Sequence, residues 1–360
     1  MKTLTSTTED PSFDPSYTTA DLDQEHQEQT WQQIVGPYAK ADVGRASISL
    51  ATSVVPFVLL WAAMYFALDV SYLLSLALAV PASGFLLRTY ILFHDCTHGS
   101  FLPSRRANAW LGTVLGWLVF TPFGRWRYEH AMHHATAGDL DRRFVGDVPT
   151  YTVAEYRSWS LPTRIAYRLY RNPAVMFGLG PIYAMVLEPR WACISKPRLR
   201  RSVWGTNLAL VGVIGGLCLL IGWQNFLLIE APFVFLSGGV GIWLFYVQHQ
   251  FDDVYWRRTE DWSYRDAALM GSSYLKLPKI LQFFTGNIGL HHVHHLSAKI
   301  PNYNLQRAHD QEAIFHSSRM VTLMDGVRAT RLKLWDEDAG RMVTWRDLRQ
   351  AKQDISPAHV

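Results

Sequence analysis

From Ser47 to Leu68 the chain carries no charged side chain. As a helix this run covers about 33 Å, enough to cross a hydrocarbon core of about 30 Å. A second run, Val70 to Leu87, follows Asp69 and continues through Arg88 to Phe93, so that it recrosses and delivers the chain to His94. Ser202 to Ile229 and Ala231 to Gln248 form a second pair around a short turn near Gly222 to Asn225, with Glu230 and Pro232 expected in the first turn of the returning helix. In lipid the backbone must bond to itself, and helices of this length do so. The expected fold is therefore all-α: a multi-span membrane protein with four transmembrane helices arranged as two hairpins.

Two further apolar segments fall short of this standard. Ala107 to Gly124 is uncharged but contains Gly112, Gly116 and Pro122, and Met176 to Leu187 is too short to cross. We read Ala107 to Gly124 as re-entrant or interfacial, because a full crossing would put the histidines before and after it on opposite sides. Fifteen Lys or Arg lie between His98 and Val203, and the turns at Asp69 and at Gly222 to Asn225 have none. Positive charge marks the cytoplasmic side, so the long middle segment and both termini are expected there, in a plasma or bacterial inner membrane. Residues 1–40 are polar and acidic, lack the basic and apolar regions of a signal peptide, and read as a disordered arm. A membrane domain over 41–323 and a charged cytoplasmic segment over 324–360 complete the expected organisation, with the chain past Pro301 forming a helical cap. The formal net charge of +4 gives no surface for nucleic acid, and three cysteines, Cys96, Cys193 and Cys218, are too few for a disulfide framework.

The fourteen histidines are the informative excess. His94 and His98 stand in HDCTH, His130, His133 and His134 in HAMHH, and His291, His294 and His295 in HHVHH. Spacings of three and four place each set on one helix face. Each cluster lies just past an apolar block, and the spans return the chain to one membrane face before every cluster. Unpaired imidazoles packed beside a bilayer would be costly, so these sets read as metal ligands. Imidazole suits zinc, copper, iron or nickel. The HExxH pattern of zinc hydrolases is missing, and none of the ten glutamates is followed by histidine at the third position, as soluble di-iron bundles require. An all-nitrogen dinuclear site remains.

The strings HDCTHGSF, WRYEHAMHHATAGDLDRRFVGDV and GLHHVHHLSAKIPNYNL resemble the three histidine boxes of the integral-membrane fatty acid desaturases, most of all the acyl-lipid Δ12/ω6 type of bacteria and plastids. The resemblance spans roughly Ser47 to Leu323. It implies a cytoplasmic cap holding a di-iron site, two iron ions that use O2 and two electrons to remove two hydrogens from an acyl chain. Carried over by position, it implies His94, His98, His130, His133, His134, His291, His294 and His295 as metal ligands. It also implies one more ligand after the fourth span, where His249 in YVQHQFDD is the candidate; a histidine bonded at the membrane interface is the alternative there. Asp95, Asp141 and His292 are expected to support these ligands from outside. Asp139 and Asp147 are read equally well as imidazole partners or as helix caps or solvated loop residues, and Asn287 in TGNIG is explained as well by turn chemistry.

An unactivated methylene has no acidic proton and no leaving group, so a metal-bound oxidant must take its hydrogen. Expected partners are lipid acyl chains, or acyl-CoA or acyl carrier protein, together with a ferredoxin or cytochrome b5-type donor, because no haem, dinucleotide or iron–sulfur motif supplies electrons within the chain. Trp117, Phe120, Phe123 and Trp126 are candidate walls for the substrate or an interfacial aromatic belt. Two rivals stand beside the desaturase. One is an oxygen-inserting relative such as an alkane or carotenoid hydroxylase or ketolase. The other is a membrane electron-transfer protein with haem between histidine pairs, which the histidine triplets at helix ends fit poorly.

Overall fold

The computed structural model describes residues 30–191 and 196–354. Cys193 and most of the N-terminal arm lie outside them. Four helices are long and apolar enough to cross a membrane: α1 (Val43–Ala67), α2 (Tyr72–His98), α5 (Pro197–Ile221) and α6 (Trp223–His249). Between them lie α3 (Arg105–Leu118) and α4 (Phe123–Thr136), and beyond them α7 (His291–Leu296) and α8 (Asn302–Gln311).

Local chemistry sets the helix ends. The Asp42 side chain accepts the Arg45 N–H at 2.7 Å and so starts α1. Gly99, at φ +70°, closes α2 one residue past His98, where a side chain would meet left-handed strain. The turn between α5 and α6 is tighter than expected: Gly222, at φ +84°, makes it alone, so Glu230 sits two turns inside α6 and accepts a hydrogen bond from the Trp61 indole at 3.0 Å. Half of the apolar window of α2 is buried, against 11% for α5, so α2 is the central post of the bundle and α5 its outer, lipid-facing helix. Phe57 and Phe233 meet edge to face between α1 and α6, in the core that also takes in Leu86, Leu92 and Phe93 of α2.

Arg105–Leu118 is a single helix of 14 residues, too short to cross, and Phe123–Thr136 returns beside it. The two helices touch where Gly112 faces the Phe123 ring, a place with no room for a Cβ. Met176 to Leu187 does not cross either, but breaks into a short helix at Pro173–Gly178 and a wide turn over Ile182–Leu187.

Two expectations need correction. Residues 31–39, placed in the disordered arm, form helical turns whose Val35 and Tyr38 are buried; the Tyr38 hydroxyl bonds the Glu312 carboxylate at 2.5 Å, so the arm gains enough apolar and polar contact to dock from Trp31 onward. The cap past Pro301 is not helical throughout. β4 (Leu332–Asp336) and β5 (Arg341–Thr344) form an antiparallel hairpin, β1 (Tyr151–Thr152) adds in parallel beside β4, and β2 (Tyr274–Leu275) pairs with β3 (Met320–Val321). Gly340, at φ +60°, supplies the turn, and Leu334 and Trp335 are buried. The sheet binds the middle segment to the C-terminal segment beneath the end of α6.

Candidate metal centre

The chain brings its histidines together because two hairpins end on the same side. The last turns of α2 carry His94 and His98, α4 carries His130, His133 and His134, the last residue of α6 is His249, and α7 supplies His291, His294 and His295. They fall into two groups. His94, His98, His130, His134 and His294 form one, and His133, His249, His291 and His295 the other; within each, one nitrogen per ring lies within 4.8 Å of all the rest.

The contacts within each group decide what the arrangement can hold. In the first, Nε2 atoms meet in sequence: His94 to His130 at 3.0 Å, His130 to His134 at 3.1 Å and His134 to His294 at 3.0 Å. In the second, His295 meets His133 at 3.2 Å, His133 meets His249 at 3.1 Å and His249 meets His291 at 2.9 Å. A neutral imidazole nitrogen offers one N–H or one lone pair, never both. The two central nitrogens of each sequence face two neighbours apiece. Both must then act as acceptors, so their mutual contact pits lone pair against lone pair. Hydrogen bonds alone do not satisfy either group, whereas a shared cation does. Ligands at right angles about 2.1 Å from one centre stand about 3.0 Å apart, as these do. Burial first, and neighbouring imidazoles second, hold His130, His134, His291, His294 and His295 far below the usual imidazole range, in the neutral form that a metal site requires. His98 Nε2 is buried with no hydrogen-bond partner among the described residues.

The outer supports are only partly those expected. Asp95 stands 3.2 Å from His94 Nδ1, and His249 Nδ1 donates to the Gly271 carbonyl at 3.1 Å. Asp141 does not touch an imidazole: it is exposed, paired with Arg258 at 2.6 Å and accepting the Thr259 N–H, because it lies on the outside of the loop after α4. His292 also turns away. Its Nε2 faces His309 Nδ1 at 3.1 Å, and its ring packs on Tyr274 and Phe315; burial and His309 push its pKa down to about 3. Asp139 caps its own loop through Arg142 and Thr259.

The carboxylate that reaches the second group is Asp147, hydrogen-bonded to His133 Nδ1. Gly146, at φ +73°, turns the loop back toward α4, and a Cβ there would lie 2.8 Å from the Glu129 carbonyl and 3.2 Å from His133 Cβ. Gly146→Ala is expected to destabilise the fold by about 1–2 kcal/mol and, by moving Asp147, to weaken metal retention about tenfold. Metal content measured beside the thermal midpoint of the purified protein checks both. On the membrane side Trp126 stacks on His130, with ring centroids 4.2 Å apart, and Phe245 lies against His133 and His249.

A family model described as fatty acid desaturase matches residues 70–320, a span that takes in all nine converging histidines. The chain belongs to the fatty acid desaturase family. It is 44% identical over 333 residues to a fatty acid desaturase of Bacillus subtilis (strain 168), covering 92% of this chain and 95% of that protein. More distant relatives include an sn-1 acyl-lipid omega-3 desaturase (ferredoxin) of Synechocystis, 28% identical over 61% of this chain and 62% of its own length. A chloroplastic omega-6 fatty acid desaturase of Arabidopsis thaliana is 26% identical over 66% and 53%. The desaturase is thus an oxidoreductase of lipid metabolism, with four helices fit to cross a membrane and two histidine groups fit to hold metal.

Proposed function

We propose that the nine histidines hold two iron ions, five on one and four on the other, and that the desaturase places a double bond in the acyl chain of a membrane lipid. The balance is one –CH2–CH2– unit, O2, two electrons and two protons giving –CH=CH– and two waters. The observation that carries the reading is the pair of nitrogen groups, each unsatisfied by hydrogen bonds alone, at one end of the four-helix bundle. The family is generally iron-dependent, and imidazole donors suit iron. Bound there, the iron pair supplies an oxidant strong enough to take hydrogen from an unactivated methylene.

The protein's own residues position and enclose. Asp95 and Asp147 hold the Nδ1 protons of His94 and His133, which turns each Nε2 lone pair inward. Trp126 and Phe245 form an apolar surface over the two groups on the side from which lipid reaches them. Fifteen basic residues between His98 and Val203 support a cytoplasmic site in a plasma membrane, with both termini on that side. The ferredoxin named for the Synechocystis relative supports a small separate iron–sulfur donor, and the omega-6 and omega-3 relatives support insertion toward the methyl half of an already monounsaturated chain, the Δ12/ω6 position first.

Expression in a host whose lipids are saturated and monounsaturated tests this. Gas chromatography of the fatty acids is expected to show a new diunsaturated species. Hydroxy or keto acids without new double bonds would sink the reading, and a Soret band with one iron per chain would replace it with haem.

A further inference from the structure

The segment IPNYNL after the third histidine cluster has no role in the site as described so far. It is built into it nonetheless. We infer that Asn302 is a positioning residue for the five-histidine group, acting through Asp95 on His94; this rests on the dinuclear reading proposed above.

Asp95 Oδ2 accepts two hydrogen bonds from one residue, the Asn302 backbone N–H at 2.6 Å and its side-chain NH2 at 2.8 Å. The backbone donor is the first N–H of α8, which has no partner within its own helix. With Oδ2 so held, Oδ1 faces His94 Nδ1 at 3.2 Å. A carboxylate only accepts, so Nδ1 carries the proton and the Nε2 lone pair points at the group, 3.0 Å from His130 Nε2. The three residues are buried, with His94 4%, Asp95 1% and Asn302 1% exposed, so no solvent substitutes for a lost partner.

Asn302 is itself fixed. Its carbonyl accepts the Asn287 side chain at 2.9 Å, and Asn287 holds a positive φ of 62° in the loop before α7. The next residue, Tyr303, bonds the Phe101 carbonyl at 3.0 Å, which ties the segment to the chain just past α2 without touching Asp95. Asn302 therefore reads the placement of the loop before α7 into the orientation of a histidine on α2.

The test uses purified, detergent-solubilised full-length protein loaded anaerobically with ferrous iron and titrated with a chelator. Wild type is expected to release two ions per chain. Asn302→Leu is expected to lose affinity for one ion about tenfold and to keep the other. Asp95→Asn is expected to show the same selective loss, and the double variant no more than Asp95→Asn alone, since Asn302 acts only through Asp95. Tyr303→Phe loosens the same segment and is expected to keep both ions. Where Asn302→Leu does not accumulate in membranes, Asn302→Ser carries the same expectation in smaller measure. Wild-type affinity for both ions in the Asn302 variants, additive losses in the double variant, or an equal loss in Tyr303→Phe would each overturn the positioning role. A wild type that itself fails to bind two ions overturns the dinuclear reading, and is told apart because the failure precedes any substitution.

Discussion

His133→Ala abolishes double-bond formation while leaving the protein in the membrane. His133 sits at the centre of the four-histidine group, its Nε2 3.1 Å from that of His249 and 3.2 Å from that of His295, with its Nδ1 on Asp147. Outer partners of a metal ligand cost 10–100-fold when removed, so removing His133, a ligand on the reading proposed above, is expected to cut product by about 100-fold or more. Truncation also strands the Asp147 carboxylate, one of whose oxygens already has no partner among the described residues. The spanning helices satisfy their own backbone and need no metal to insert. Fatty acid analysis beside quantitation of the protein in the membrane fraction checks both halves. Unchanged product would remove His133 from the site; loss of the protein from the membrane would show that the group also holds the fold.

The second large effect is on stability. Arg171 is fully buried, and among the described residues no carboxylate is its partner. Its guanidinium donates to the carbonyls of Pro149 at 2.7 Å and Leu332 at 3.2 Å, to the hydroxyls of Tyr167 at 3.0 Å and Tyr246 at 2.9 Å, and to Gln250 Oε1 at 2.9 Å. Oxygen dipoles from the middle segment, α6 and the C-terminal hairpin thus replace a counter-ion. Gln250 in turn donates to the His249 carbonyl, so the same cluster steadies the end of α6 where that histidine stands. Arg171→Met is expected to cost about 3 kcal/mol, because it fills the space but leaves buried oxygens without a donor. Thermal unfolding in detergent reads the loss, and protease cleavage between β4 and β5 is expected to quicken as the hairpin loosens. An unchanged midpoint would mean the oxygens find other donors.

Much of the fold and of the site is legible in the sequence, and the parts that are not share a physical cause. The four crossings were legible because an uncharged run of sufficient length has few other uses. The histidine sets were legible because spacings of three and four hold wherever the helix lies. Which acid meets an imidazole was not: Asp141 and Asp147 lie six residues apart in one loop, and the positive φ at Gly146 decides which turns inward. His292 sits among three box histidines, and only the packing of α7 on Tyr274 and His309 shows that its ring leaves the group. The β4–β5 hairpin was hidden by its charges, since Lys333 is buried there and donates to the Arg171 carbonyl at 2.6 Å. Each miss depends on where distant segments meet, which a local pattern does not encode.

Five imidazoles on one side and four on the other make the two positions unequal from the outset. On the two-iron reading proposed above, scarcity would empty one seat before its neighbour, and a half-filled chain would stand idle with metal still aboard.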